Sequence, residues 1–257
     1  MNKRILAVAF AALLGGSNAF AAINVVTTTQ DLESLAREIG GTKISVESLA
    51  KGYQDPHFVE AKPSFILKLH SADLLIVVGR ELEIGWLPPL INQARNARIQ
   101  PTGDRYLDAS QTAKILEIPS GQITRAMGDV HPSGNPHYWL SPDNGRRIAQ
   151  LIQKKLTEIS PADAAYFAER YADFDRRLAE AEKRWQAAMA PYKGVKVVII
   201  EPYFDRKTPD AIARETGAQV IVMAPSVGGE KEVTDYFKLF DYDVNLVVNA
   251  IKQTGAK

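Results

Sequence analysis

The sequence predicts an α/β protein made of two doubly wound parallel-sheet lobes joined by one long spine helix, the second lobe being reduced. Three observations predict this. Short β-branched apolar runs alternate with segments of helical periodicity, one long alanine- and charge-rich helical tract interrupts the alternation near residue 161, and only two clear strand-like runs follow that tract. In open sheets of this kind ligands lie beyond the C-terminal ends of the strands.

Lys3 and Arg4 precede an apolar stretch over residues 5–16, and Ala19-Phe20-Ala21 supplies small residues for cleavage, so residues 1–21 are expected to be a secretory signal peptide. Its apolar core is shorter than the ~20 residues that span a bilayer. The first lobe is assigned to residues 22–160. A β-branched run over 23–29 reads as a strand, and Asp31 is expected to cap the helix in which Leu32, Leu35, Ala36 and Ile39 recur before Gly40-Gly41 ends it. Residues 43–49 read as a second strand, 63–70 as a helix opened by Pro63 and Ser64, 74–78 as a buried strand, and 97–100 as a fourth strand.

The linking helix is assigned to residues 161–191. Within it Tyr166, Tyr171, Phe174, Leu178, Ala181, Trp185 and Met189 keep helical spacing. At 1.5 Å per residue the tract spans about 42 Å, enough to back both lobes. Its large residues keep no clean heptad, which favours a monomer over a coiled-coil dimer. The shortened second lobe, residues 192–257, is expected to hold strands at 195–200 and 219–224 and helices at 209–216 and 244–252.

Composition narrows the function. With 31 basic and 30 acidic residues the formal charge is +1, which gives no reason to expect nucleic acid or an anionic membrane as partner. There is no cysteine, so neither a disulfide framework nor a lipid-bearing cysteine is expected, and the chain reads as a free periplasmic protein.

Four histidines are present, and two lie in unusual loops: Asp55-Pro56-His57-Phe58-Val59-Glu60 and Asn135-Pro136-His137-Tyr138-Trp139-Leu140-Ser141-Pro142. In each a proline precedes the histidine and restricts the local backbone, which suits a ligand placed before metal arrives. Imidazole is favoured by zinc and its neighbours, and carboxylates move preference towards manganese.

Both motifs closely resemble the zinc/manganese family of periplasmic solute-binding proteins, the metal-receiving components of ABC importers. The family context "DPHxxExxPS" is matched by residues 55–64, and "GNPHYWLSP" by residues 134–142. The resemblance runs from about residue 23 to 189 and resumes afterwards. It implies a C-clamp with a divalent metal in the interlobe cleft, Zn2+ first and Mn2+ as the alternative, and delivery to a cognate ABC-importer membrane permease. It further implies three histidines, or two histidines and a glutamate, with an acidic fourth ligand or water.

Family members are longer, and their third ligand follows the first strand of the second lobe, whereas no histidine follows His137 here. Two readings stay open. Glu201 falls where the third ligand would lie, giving His57, His137 and Glu201 as the metal set. Alternatively residues 199–216 correspond to a later strand and helix, so that a strand, a helix and a histidine are missing together and the second lobe has fewer strands.

The remaining candidates are accessory. Glu60 is placed to orient an imidazole from behind, Asp205 lies near Glu201 but reads first as surface charge, and His131 reads first as a solvent-exposed residue, with lining the cleft or recruiting metal as the alternatives. Asp55 reads as a turn cap. His70 ends a helix, where a protonated ring suits the dipole, and is not a ligand. Trp86 and Trp139 read as packing residues under the cleft and beside His137, and Arg80, Glu81 and Glu83 as solvated charges. No catalytic residue is assigned, since HExxH, GxSxG and phosphate-cradling motifs are all missing. A metal-dependent hydrolase and an exported adhesion or scaffold protein are the alternatives to a binding protein. Protons compete for imidazoles, whose ordinary pKa is near 6.5, so metal binding is expected to weaken below about pH 6.

Overall fold

The computed structural model describes residues 22–121 and 130–253; the expected signal peptide lies outside the described residues. Four strands, β1 (Ile23–Thr27), β2 (Ile44–Ser48), β3 (Leu74–Val77) and β4 (Tyr106–Asp108), form a parallel sheet in the order β2-β1-β3-β4. Val25 stands opposite Val46 on one side and Leu74 on the other. Because side chains alternate along a strand, neighbouring residues of β1 and β3 feed opposite cores. Val25, Leu74 and Ile76 pack with α1 (Gln30–Gly40), α4 (Pro142–Ile159) and α5 (Ala164–Met189). Val26, Leu75 and Val77 pack with α2 (Pro63–Ser71) and α3 (Leu87–Ala94). Both faces are therefore covered, which explains why β3 is apolar throughout instead of alternating.

A second parallel sheet has two strands, β5 (Val198–Ile200) and β6 (Val220–Val222), with α6 (Lys207–Thr216) between them and α7 (Tyr236–Gln253) after them. It has fewer strands than the first, as one of the two sequence readings requires. Between the sheets α5 contributes Phe174 and Trp185 to a buried stripe, and α7 lies against it through Phe174–Phe237 and Trp185–Phe240 ring contacts at 5.5 and 4.9 Å. Arg146 of α4 clasps α5 through Asp175 at 2.5 Å and Glu182 at 2.7 Å.

Several expectations are corrected. Residues 97–99 form a 3₁₀ turn capped by Asn96, whose side chain accepts from the Arg98 amide, and the fourth strand is Tyr106–Asp108. Asn96 offers the backbone a local hydrogen bond that competes with a ladder, and Pro101 follows immediately. Thr29, not Asp31, caps α1: its side chain accepts from the Leu32 amide, and Asp31 is buried inside the helix. The run at 195–200 was expected to be a buried strand, but only three residues pair and Ile199 in the middle is 55% exposed. The last helix begins at Tyr236, eight residues ahead of the expected start, because Tyr236 and Leu239 belong to its buried face. Helices α3 and α4 are additions to the sequence reading.

Candidate metal centre

His57 and His137 arrive from opposite ends of the first sheet's connections. His57 sits in the loop after β2, and His137 directly precedes a 3₁₀ turn (Tyr138–Leu140) that leads into α4. The fold brings their rings to 5.1 Å between centroids. His131 joins them from the same loop as His137, its ring 5.1 Å from that of His57 and its Nε2 3.0 Å from His57 Nε2. All three rings are half-buried. Among the described residues no group of three or more His, Cys, Asp or Glu side chains stands in a geometry that could hold a metal ion.

The loop bearing His57 is held in place from below. Pro56 is buried and its carbonyl accepts from Trp86 Nε1 at 2.9 Å, so the indole expected under the cleft is the support of this loop. Asp55 does more than cap the turn. Its Oδ1 accepts from the His57 amide at 2.9 Å and lies 2.7 Å from His57 Nδ1. A carboxylate there places the ring proton on Nδ1 and turns the Nε2 lone pair towards His131, the arrangement by which outer carboxylates orient ligating histidines. Glu60, expected in that role, is exposed. The reason is local: a turn lets Asp55 reach back to the ring, whereas Glu60 lies beyond buried Val59.

His137 is set by its own cap. Asn135 Oδ1 accepts from the His137 amide at 2.8 Å, repeating the Asp55–His57 turn at the second motif. The ring stands 5.1 Å from buried Trp139, whose Nε1 donates to the Pro225 carbonyl at 3.2 Å. Tyr138 is buried and donates to the Val78 carbonyl at 2.5 Å, anchoring the 3₁₀ turn to the end of β3; burial pushes its hydroxyl well above the usual range. His70 donates from Nδ1 to the Ala94 carbonyl at 2.8 Å and is remote in role from this cluster.

Glu201 follows β5 and lines a cavity with Leu140, Phe204, Asp205 and Pro225. Asp205 is exposed and its Oδ1 accepts from the Lys207 amide at 2.6 Å, an Asx turn that leads into α6.

Three buried carboxylates were missed, and one of them, Asp243 of α7, accepts from the Ala224 amide at 3.0 Å and is pushed up to about 6 by burial. Glu83, read as solvated, is only 5% exposed. It accepts from Thr28 Oγ1 at 2.6 Å and from the Val78 and Gly79 amides at 2.7 and 3.1 Å, tying the ends of β1 and β3. Desolvation pushes its carboxyl up to about 7 against those hydrogen bonds. Asp31 accepts from Ser226 Oγ and, at 3.0 Å, from the Val227 amide, and burial lifts it to about 6. Asp31 thereby joins α1 to the loop after β6. Gly52 completes that seam, because any Cβ there would collide with the Val227 carbonyl.

A family model described as ZnuA, zinc-uptake complex component A, periplasmic, matches residues 25–194. The metal ABC transporter substrate-binding lipoprotein ScbA of Streptococcus cristatus is 29% identical over 181 residues, covering 69% of this chain and 55% of that protein. The manganese ABC transporter substrate-binding lipoprotein PsaA of Streptococcus pneumoniae is 27% identical over the same shares of each chain. The chain spans about half the length of the curated relatives it matches. A crystal structure of ZnuA superposes with a TM-score of 0.71 at 20% identity, covering 90% of this chain and 99% of that one. A manganese-bound periplasmic metal-binding protein from Candidatus Liberibacter asiaticus gives 0.70 at 14%, covering 88% and 98%. These two likenesses establish the fold, an α/β architecture with parallel sheets.

Proposed function

The chain belongs to the ZnuA family of periplasmic zinc-uptake components, and from that premise we propose that it captures a divalent transition metal as substrate and delivers it to an ABC-importer permease. Zinc is the first candidate and manganese the second. The observation that carries the reading is the meeting of His57 and His137, 80 positions apart in sequence, at 5.1 Å, with the Nδ1 of His57 already engaged by Asp55. Imidazoles so oriented are ligands in waiting. Glu201 is proposed as the carboxylate donor that the second sheet offers, on the strength of its place in the cavity beside Leu140.

In this reading residues 22–160 form the first lobe, 161–191 the link and 192–257 the reduced second lobe, with the metal in the cleft between them. The protein acts as a monomer in the periplasm after removal of residues 1–21, and it binds without catalysis. Among the described residues no helix is long and apolar enough to cross a membrane. The Asp31 seam and the α5–α7 packing oppose wide opening, so loading proceeds by small loop adjustments.

The test is a competitive titration of metal-stripped protein with zinc and manganese against a calibrated chelator, on the wild type and on His57→Ala and His137→Ala. One-to-one binding lost in both variants is expected. Binding indifferent to both substitutions would sink the reading.

A further inference from the structure

We infer that His131 is a metal ligand, so that the first lobe alone supplies three imidazoles and the site is completed without a histidine from the second. This rests on the function proposed above and assigns a donor to the same centre.

His57 Nε2 and His131 Nε2 face each other at 3.0 Å. Asp55 occupies the other side of the His57 ring at 2.7 Å, so His57 Nε2 presents a lone pair towards His131. Two histidine nitrogens bound to one tetrahedral zinc at 2.0–2.1 Å lie about 3.3 Å apart. The observed separation needs to open by only a few tenths of an ångström for a cation to sit against both. The His137 ring lies 5.1 Å from the same His57 ring, centroid to centroid.

The loop that carries His131 is built to hold it there. Gly134 turns with φ of 91°, and its amide donates to the His131 carbonyl at 3.1 Å. That left-handed conformation is open to glycine at little cost. Arg80 Nη1 donates to the Ser133 carbonyl at 3.1 Å. The Asn135 amide donates to the Leu116 carbonyl at 2.9 Å, and Asn135 Nδ2 to Glu117 at 2.8 Å. The short segment between His131 and His137 is thus stapled at both its middle and its end, and it delivers two imidazoles from one rigid turn. With Glu201 as an anionic fourth donor, the set becomes three nitrogens and one oxygen, which favours zinc over manganese more than two histidines and a carboxylate would.

The experiment titrates metal-stripped His131→Gln with zinc and with manganese beside the wild type, His57→Ala, His137→Ala and Asp55→Asn. It also records the visible d–d absorption of the cobalt(II)-loaded forms. Asp55→Asn calibrates the loss of an outer partner, roughly 10–100-fold in affinity. We expect His131→Gln to lose zinc affinity by at least that much, to lose less for manganese, and to change the cobalt bands, while its metal-free melting temperature stays near that of the wild type. If His57→Ala and His137→Ala lose zinc but His131→Gln keeps it and the cobalt spectrum, this assignment falls and the proposed function stands. If none of the three histidine variants differs from the wild type, both fall.

Discussion

The two sheets of this molecule are made of similar short apolar strands but are stabilised very differently. In the first, β1 and β3 are flanked by strands and covered on both faces, and all four residues of β3 are buried. In the second, β5 pairs on one side with β6, its central Ile199 faces outward, and α6 buries none of its residues. The difference teaches where a binding site can be rigid. The histidines hang from loops braced by the first sheet and its helices, through Trp86, Tyr138 and Asn135. The second sheet offers one carboxylate and a seam.

The comparison can be broken by substitution. The largest effect is expected from Phe167→Ala, which empties a site at 0% exposure beneath the first sheet and should cost about 3–5 kcal/mol in urea unfolding. A cost below 1 kcal/mol would mean that this core is not the principal one. Next comes hydrogen exchange. Amides of β1 and β3 should exchange only on global unfolding, whereas those of β5 and β6 should exchange through local opening at least about 2 kcal/mol cheaper. Equal protection in the two sheets would erase the distinction drawn here.

Acidity sharpens it further. Burial holds Glu83 near 7 and Asp31 and Asp243 near 6. Each binds its proton more tightly folded than unfolded, so stability that is complete below about pH 4 is lost as pH rises through 6 to 7. Unfolding free energies measured in steps from pH 4.5 to 7.5 should show this contribution, and Glu83→Gln should flatten it. An unaltered slope in that variant would remove Glu83 from the account. Tyr236→Phe should cost about 1 kcal/mol, since it deletes the 2.6 Å hydrogen bond from α7 to the Trp139 carbonyl and loosens the seam. The smallest effect belongs to Ile199→Ala, within about 0.5 kcal/mol by the same unfolding assay; a larger loss would show the outer face of β5 to be covered.

Much of the first sheet was legible because β3 is a continuous apolar run and β1 and β2 are short segments rich in valine and isoleucine, and its helices show periodic apolar faces between glycine and proline signals. β4 was not, because three residues with one buried centre carry too little pattern to stand out. The histidine motifs were legible as motifs. What they meet was not, since His131 and His57 are 74 residues apart in sequence and come together only through the fold. Asp31 and Glu83 misled in a different way. A charge in sequence reads as a cap or as solvated surface, and nothing local announces that Ser226 or Thr28 will come to satisfy it in the interior.

The three tryptophans divide the molecule optically. Trp86 supports the His57 loop, Trp139 lies between the His137 ring and the Pro225 carbonyl, and Trp185 is fixed by Asp241 at 2.8 Å on the α5–α7 contact. Variants retaining one indole each would therefore give separate emission signals for one histidine loop, for the cleft and for the distant brace, so that the order in which these parts respond to a metal jump can be timed without adding a label.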